Sequence, residues 1–197
     1  MSFRLGLTGS IGMGKSTTAK LFAEAVCAVW DADAAVHRMY AAGGAAVDPI
    51  SDALPDAIID GAVSRDRLKE MIGRDASVLK KLEEIVHPLV ALDRAEFAKS
   101  ASADILVFDI PLLFEGGGDA SMDAVVCVSI PPEEQKNRVL ERGTMSVAQF
   151  EQIRAKQMPN DEKCARSDYV VITDTLDHAR AQVDKIVEII KGQIADA

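Results

Sequence analysis

The sequence predicts an α/β protein: a three-layer core with a five-stranded, mostly parallel sheet, carrying a helical insertion and a helical lid. Three observations predict it. Short apolar, β-branched runs recur at 3–8, 27–30, 105–108, 124–130 and 169–173, with helical patterns between them. A glycine-rich turn links the first run to the first helix. Between 43 and 102 the strand–helix alternation stops and only helical pieces follow.

The first run holds Phe3, Leu5 and Leu7 and ends at Thr8. Ser16 to Val26 then reads as a helix with Leu21, Phe22 and Val26 on its apolar side. Between them lies Gly9-Ser10-Ile11-Gly12-Met13-Gly14-Lys15-Ser16, followed by Thr17. It satisfies G-x-x-x-x-G-K-[ST] at every fixed position, in the strand–loop–helix setting that the phosphate-loop motif requires. Glycines let backbone N–H groups curl around phosphate oxygens, and a helix start adds unpaired donors and partial positive charge. Lys15 can reach the outer phosphates and the Ser16 hydroxyl can hold Mg²⁺. The core is therefore expected to be of the P-loop NTPase type, binding ATP through Gly12, Met13, Gly14, Lys15, Ser16 and Thr17. The alternative is a glycine-rich turn that matches by chance, which the number of fixed positions and the flanking elements argue against.

The second run, Cys27 to Trp30, ends in Asp31-Ala32-Asp33 before a helical stretch to Tyr40. Ligands bind at the carboxyl ends of strands in open α/β sheets, so Asp33 is a candidate ligand-side carboxylate. Either aspartate can equally be a helix cap. The insertion reads as helices at 49–54, 65–72, 77–86 and 88–99. The break falls at His87-Pro88, because proline suits a first helical turn. Leu68, Met71 and Leu92 are its expected core. His87 alone is weak evidence, since most histidines are structural.

The third strand ends at Asp109, an acid placed to hold Mg²⁺ through water. Ile110-Pro111-Leu112-Leu113-Phe114-Glu115 follows, apolar residues that either pack or line a pocket. After the fourth strand, 133–142 reads as a helix carrying Lys136, Arg138 and Arg142. Ser146-Val147-Ala148-Gln149 forms a capping box for the next helix, with Arg154, Lys156 and Gln157. The segment from Arg138 to Lys163 thus forms a cationic flap, able to neutralise a transferring phosphoryl group and exclude water. A solvated pair of charged helices is the plainer alternative. Val183, Ile186, Val187 and Ile190 give the last helix its apolar face.

A net charge of −9 argues against a polynucleotide partner. No apolar run approaches the roughly 20 residues needed to span a bilayer. The chain runs straight into its first strand, leaving no room for a signal peptide. Cys27, Cys127 and Cys164 are odd in number and far apart in sequence, in no C-x-x-C pair. That points to a reducing cytoplasm and to inert core thiols at Cys27 and Cys127, not to disulfides or zinc.

Taken together, these residues resemble the dephospho-CoA kinase family over nearly the whole length. The resemblance rests on Leu7-Thr8-Gly9 and the phosphate loop, Asp31-Ala32-Asp33, Leu82-Glu83-Glu84-Ile85-Val86-His87-Pro88 and Pro111-Leu112-Leu113-Phe114-Glu115. It also rests on the spacing of Gln135, Arg138, Arg142, Arg154 and Gln157, and on Ser167-Asp168-Tyr169-Val170-Val171-Ile172. Ser10 and Met13 stand where the family usually has Gly and Ser, at variable loop positions. Ser64 and Gly73 replace an Asp and a common aromatic, which touches packing in the insertion. The resemblance implies a nucleotide-binding core (1–42, 103–137, 164–197), an acceptor domain (43–102) and a lid (138–163). It implies phosphorylation of the ribose 3′-hydroxyl of dephospho-CoA by ATP with Mg²⁺; the oligomeric state is open, with a monomer favoured. Asp33, Lys15 and Arg138 are the expected catalytic residues, and Arg142, Arg154 and Gln157 join the ATP site. Asp33, His87, Leu113 and Glu115 fall on the acceptor side. Another small-molecule kinase is disfavoured by the insertion and His87-Pro88, and a nucleotide switch by the absence of Asn-Lys-x-Asp.

Overall fold

A computed structural model of the chain describes residues 2–196. Its main sheet has five strands, β1 (Phe3–Thr8), β2 (Ala28–Asp31), β5 (Ile105–Asp109), β6 (Ala124–Ser129) and β7 (Tyr169–Ile172), in the order β2-β5-β1-β6-β7. β1 lies parallel to β5, with Leu7 opposite Asp109, and parallel to β6, with Leu7 opposite Val126. β6 pairs in parallel with β7. Leu5, Leu7, Val107, Val126 and Val128 are buried, as expected of central strands covered on both faces. Helices α1 (Lys15–Glu24) and α9 (Leu176–Ala195) share one core, where Phe22 meets the apolar stripe of Val183, Ile186, Val187 and Ile190.

Chain contacts divide the molecule into two compact units, one built from the residues before Asp31 and after Ser100, the other from Asp31–Ser100. The flap helices α6 (Pro132–Glu141), α7 (Val147–Lys156) and α8 (Asn160–Arg166) belong to the first. Their capping box forms as expected: Gln149 N–H donates to Ser146 Oγ and the Gln149 side chain accepts from Ser146 N–H.

The second unit holds α2 (Ala32–Tyr40), α3 (Val47–Ala53), α4 (Arg65–Arg74), α5 (Ser77–Ser100) and a small hairpin, β3 (Ile58–Ile59) with β4 (Ala62–Val63). The insertion is therefore not purely helical. Asp60 and Gly61 turn the hairpin with φ of 50° and 75°. An Asp-Gly pair between apolar residues favours such a turn, but strands of two residues leave no periodicity to detect. The expected break at His87-Pro88 is also absent. One helix of 24 residues runs through, with Pro88 in its interior. It packs against α2, α3 and α4, and Arg38 of α2 is bound to Asp93 of α5 at 3.0 Å. Tertiary contacts of this kind offset the hydrogen bond that proline removes. Leu68 is buried, but Leu92 is exposed, contrary to its expected place in the core.

The first helix ends at Glu24, and Val26 is exposed with φ of 68°. Its expected place on the helix face fails because the chain must reverse there to enter β2.

Candidate functional site

The phosphate loop connects β1 to α1, and its shape is forced by the groups around it. Gly12 and Gly14 have φ of 78° and 92°, a left-handed backbone that side chains resist. Space forbids a side chain as well. A Cβ on Gly12 would strike Val139 of α6, and one on Gly14 would stand 2.9 Å from Thr173 Oγ1, just past β7.

The backbone of the loop is held by side chains from distant parts of the sequence. Asn160 Oδ1 accepts from Ser10 N–H at 3.1 Å, and Gln157 Oε1 accepts from Ile11 N–H at 3.0 Å. Gln135 Nε2 donates to Ile11 O at 2.7 Å, and Thr173 Oγ1 donates to Met13 O at 2.7 Å. Met13 is itself buried, with Ile130 N–H 3.3 Å from its sulfur. The first turn of α1 follows at once, and the N–H groups of a first helical turn lack intrahelical acceptors. A glycine loop whose backbone is fixed by four side chains and runs into a first helical turn suits an anion cradle.

Lys15 is ion-paired with Asp109, the buried last residue of β5. This brings together two residues that the sequence suggested separately. Thr8 Oγ1 donates to Pro111 O at 3.1 Å, tying the end of β1 to the segment after β5. A cavity of about 420 Å³ adjoins the loop, lined among others by Ser10, Met13, Gln135, Arg154, Gln157 and Asn160.

A dephospho-CoA kinase sequence profile matches residues 3–177 of this chain. The chain belongs to the dephospho-CoA kinase family. The dephospho-CoA kinase of Ruegeria pomeroyi is 72% identical over 192 residues, spanning 98% of each chain. A Thermus thermophilus protein of known structure is 30% identical, with a TM-score of 0.86 over 95% of this chain and 97% of that one. The dephospho-CoA kinase from Campylobacter jejuni, 22% identical with a TM-score of 0.69, covers 98% of this chain and 100% of its own, and shows the shared fold. The dephospho-CoA kinase family phosphorylates dephospho-CoA to coenzyme A, the final step of coenzyme A synthesis.

In this member of the dephospho-CoA kinase family the remaining expected residues divide clearly. Asp31, not Asp33, caps α2, accepting from Ala34 N–H at 2.9 Å. Asp33 is left exposed in the first turn of that helix. His87 is exposed on α5. Both lie in the second compact unit.

Arg138 reaches the segment after β7, where it donates to Thr173 O at 2.7 Å and to Asp174 O at 3.2 Å. Through Thr173 it braces the phosphate loop. Arg142 ends α6 and is exposed, and Arg154 is paired with Glu151 at 2.7 Å.

The Pro-Leu-Leu-Phe-Glu segment mostly packs. Leu113 and Phe114 are buried with Val125, Ile110, Met122 and Met158 around them. Glu115 accepts from Lys163 at 2.9 Å and from Met158 N–H at 2.8 Å. Lys163 was expected among the flap's cations, but it is fully buried and also donates to Pro111 O at 2.9 Å. A lone lysine in a charged helix gives no hint that its partner lies 48 residues earlier. Burial opposes ionisation of Glu115, yet the hydrogen bonds from Lys163 and Met158 outweigh it and hold its carboxyl below the usual value.

Asn160 and Thr173, which hold the loop, carried no signal in the sequence. Gln135 appeared only through family spacing, and Gln157 only as a residue of the flap helix and through that spacing.

Proposed function

We propose that this chain transfers the γ-phosphoryl group of ATP to the ribose 3′-hydroxyl of dephospho-CoA. The observation that carries the reading is the braced phosphate loop with Lys15 against Asp109, in a chain of this family. Gly12, Met13, Gly14, Lys15, Ser16 and Thr17 receive the donor phosphates. Lys15 exchanges Asp109 for phosphate oxygens when ATP binds. Arg138, Arg142 and Arg154 offset the charge that spreads over the transferring group, and Gln157 faces the adenine.

The donor set suits Mg²⁺: a hydroxyl at Ser16, the Asp109 carboxylate, and oxygens brought by the substrate. No cluster of three His, Cys, Asp or Glu residues that could cage a metal occurs among the described residues, which fits an ion that arrives with phosphates. Bound there, Mg²⁺ neutralises phosphate charge.

Asp33 orients the acceptor hydroxyl and takes its proton. A carboxylate has an ordinary pKa of about 4 and is a weak base, so positioning is the larger share of its work in a loose transition state. His87 serves the acceptor side from α5. Leu113 and Glu115 serve it by fixing the segment after β5, Leu113 through packing and Glu115 through Lys163. The reading places the enzyme in the cytoplasm as a monomer, with no nucleic-acid or membrane partner. No helix among the described residues is long and apolar enough to cross a membrane.

ADP release measured across a panel of acceptors tests the reading. Dephospho-CoA is expected to be preferred over shikimate, gluconate and nucleosides, and equal turnover with one of those would overturn it.

A further inference from the structure

Three cysteines far apart in sequence suggest no pairing, yet the fold brings two of them together. Cys127 on β6 and Cys164 on α8 have their sulfurs 3.6 Å apart. Asn160, one turn before Cys164, touches both. Its Nδ2 lies 3.6 Å from Cys164 Sγ and its Oδ1 3.9 Å from Cys127 Sγ. The same Oδ1 accepts from Ser10 N–H of the phosphate loop, and Nδ2 donates to Val128 O and Ser129 Oγ. We propose that Cys127 and Cys164 are an oxidisable thiol pair, closed to a disulfide by hydroperoxides, and that closure loosens the hold of Asn160 on the phosphate loop.

The chemistry assigns an order. Cys164 is partly exposed and meets the oxidant first, whereas Cys127 is fully buried. The Cys164 thiolate attacks one oxygen of the hydroperoxide, the O–O bond breaks, and Cys164 becomes a sulfenic acid as an alcohol leaves (or water, from hydrogen peroxide). Cys127 sulfur then attacks Cys164 sulfur. The S–S bond forms, the S–O bond breaks, and the departing hydroxide leaves as water with the Cys127 proton. Two thiols are oxidised and one peroxide is reduced. Burial pushes the Cys127 thiol up, so only a neighbour already in contact makes its attack competitive. Cys27 is buried too, its thiol pushed up to about 11, and does not compete.

Closure shortens the sulfur separation from 3.6 Å to about 2.05 Å. α8 has only seven residues and must follow Cys164 towards β6. Asn160, one turn before Cys164 on the same short helix and touching both sulfurs, is carried along and loses the Ser10 N–H bond. This functional half rests on ATP binding at the phosphate loop; the disulfide does not.

The full-length protein is treated with hydrogen peroxide, then unfolded, alkylated and analysed by intact mass and peptide mapping, alongside Cys164→Ala and Cys27→Ala. The proposal expects loss of two hydrogens, a Cys127–Cys164 peptide link, and Cys27 still open to alkylation. It expects ATP binding, read by calorimetry, to weaken about tenfold, the scale of one lost hydrogen bond, and to recover with dithiothreitol. Cys164→Ala keeps its ATP affinity after peroxide, and Cys27→Ala behaves as the wild type. Full alkylation of Cys127 and Cys164 after peroxide overturns the proposal. So does equal weakening in Cys164→Ala, or a mapped disulfide that leaves ATP binding unchanged.

Discussion

Lys15, the first residue of α1, is ion-paired with Asp109, the last residue of β5, and the Asp109 side chain is only 1% exposed. The pair joins the phosphate loop to the strand beside β1 and holds the ammonium group at the carboxyl end of β5, where the proposed function has phosphate replace the carboxylate. Lys15→Ala is expected to abolish phosphoryl transfer and to weaken ATP binding, measured by turnover and calorimetry. Unimpaired turnover would remove the loop from the mechanism.

Gly14→Ala tests whether the loop's shape is enforced. A left-handed backbone costs a residue with a side chain about 1–2 kcal/mol, and the new methyl also meets Thr173. The variant is expected to lose ATP affinity while urea denaturation shows the core still folds cooperatively. ATP affinity equal to the wild type would show that the loop needs no glycine there.

Asp33→Asn separates positioning on the acceptor side from donor binding. Turnover is expected to fall by at least about 100-fold, the lower scale for a lost acid–base group, with ATP affinity little changed. Asp31 caps α2, so the substitution at Asp33 leaves the helix start intact. Near-normal turnover would exclude Asp33.

The pair between buried Lys163 and solvent-facing Glu115 makes a prediction about stability. Glu115→Gln leaves the buried Lys163 charge with Pro111 O alone, and because Glu115 faces solvent the expected cost is about 1–2 kcal/mol, below that of a pair buried on both sides. The cost is read from urea denaturation near neutral pH. The carboxyl is held below its usual value of 4.5 in the fold. Its contribution is therefore present above pH 4.5 and is lost as pH falls through the lower folded value. Wild type and variant are expected to converge in acid, and a constant gap down to that range would contradict the assignment.

Much of this was legible in the sequence because it is local. The phosphate loop lies within eight consecutive positions, and the five strands fall in short, mainly apolar runs. The helix interiors and the Ser146 cap follow from near-neighbour chemistry. What was illegible depends on distance along the chain. Nothing around Asn160 or Thr173 says that each holds an atom of the loop more than 140 residues away. Lys163 reads as a surface cation until Glu115 is seen beside it. Pro88 reads as the start of a new helix because proline suits a first helical turn, and only the contacts of α5 with its neighbours account for one helix running through. The Asp60-Gly61 turn was written in the sequence, but two-residue strands gave it no frame.

The central claim is donor-to-acceptor transfer at one hydroxyl. The most direct test incubates the protein with ATP, Mg²⁺ and dephospho-CoA, weighs the product by mass spectrometry, and locates the new phosphate by NMR. The account predicts a gain of one phosphoryl group, on the ribose 3′-oxygen, matched by one ADP released. Phosphate at another position, or ADP released with dephospho-CoA unchanged, would contradict it.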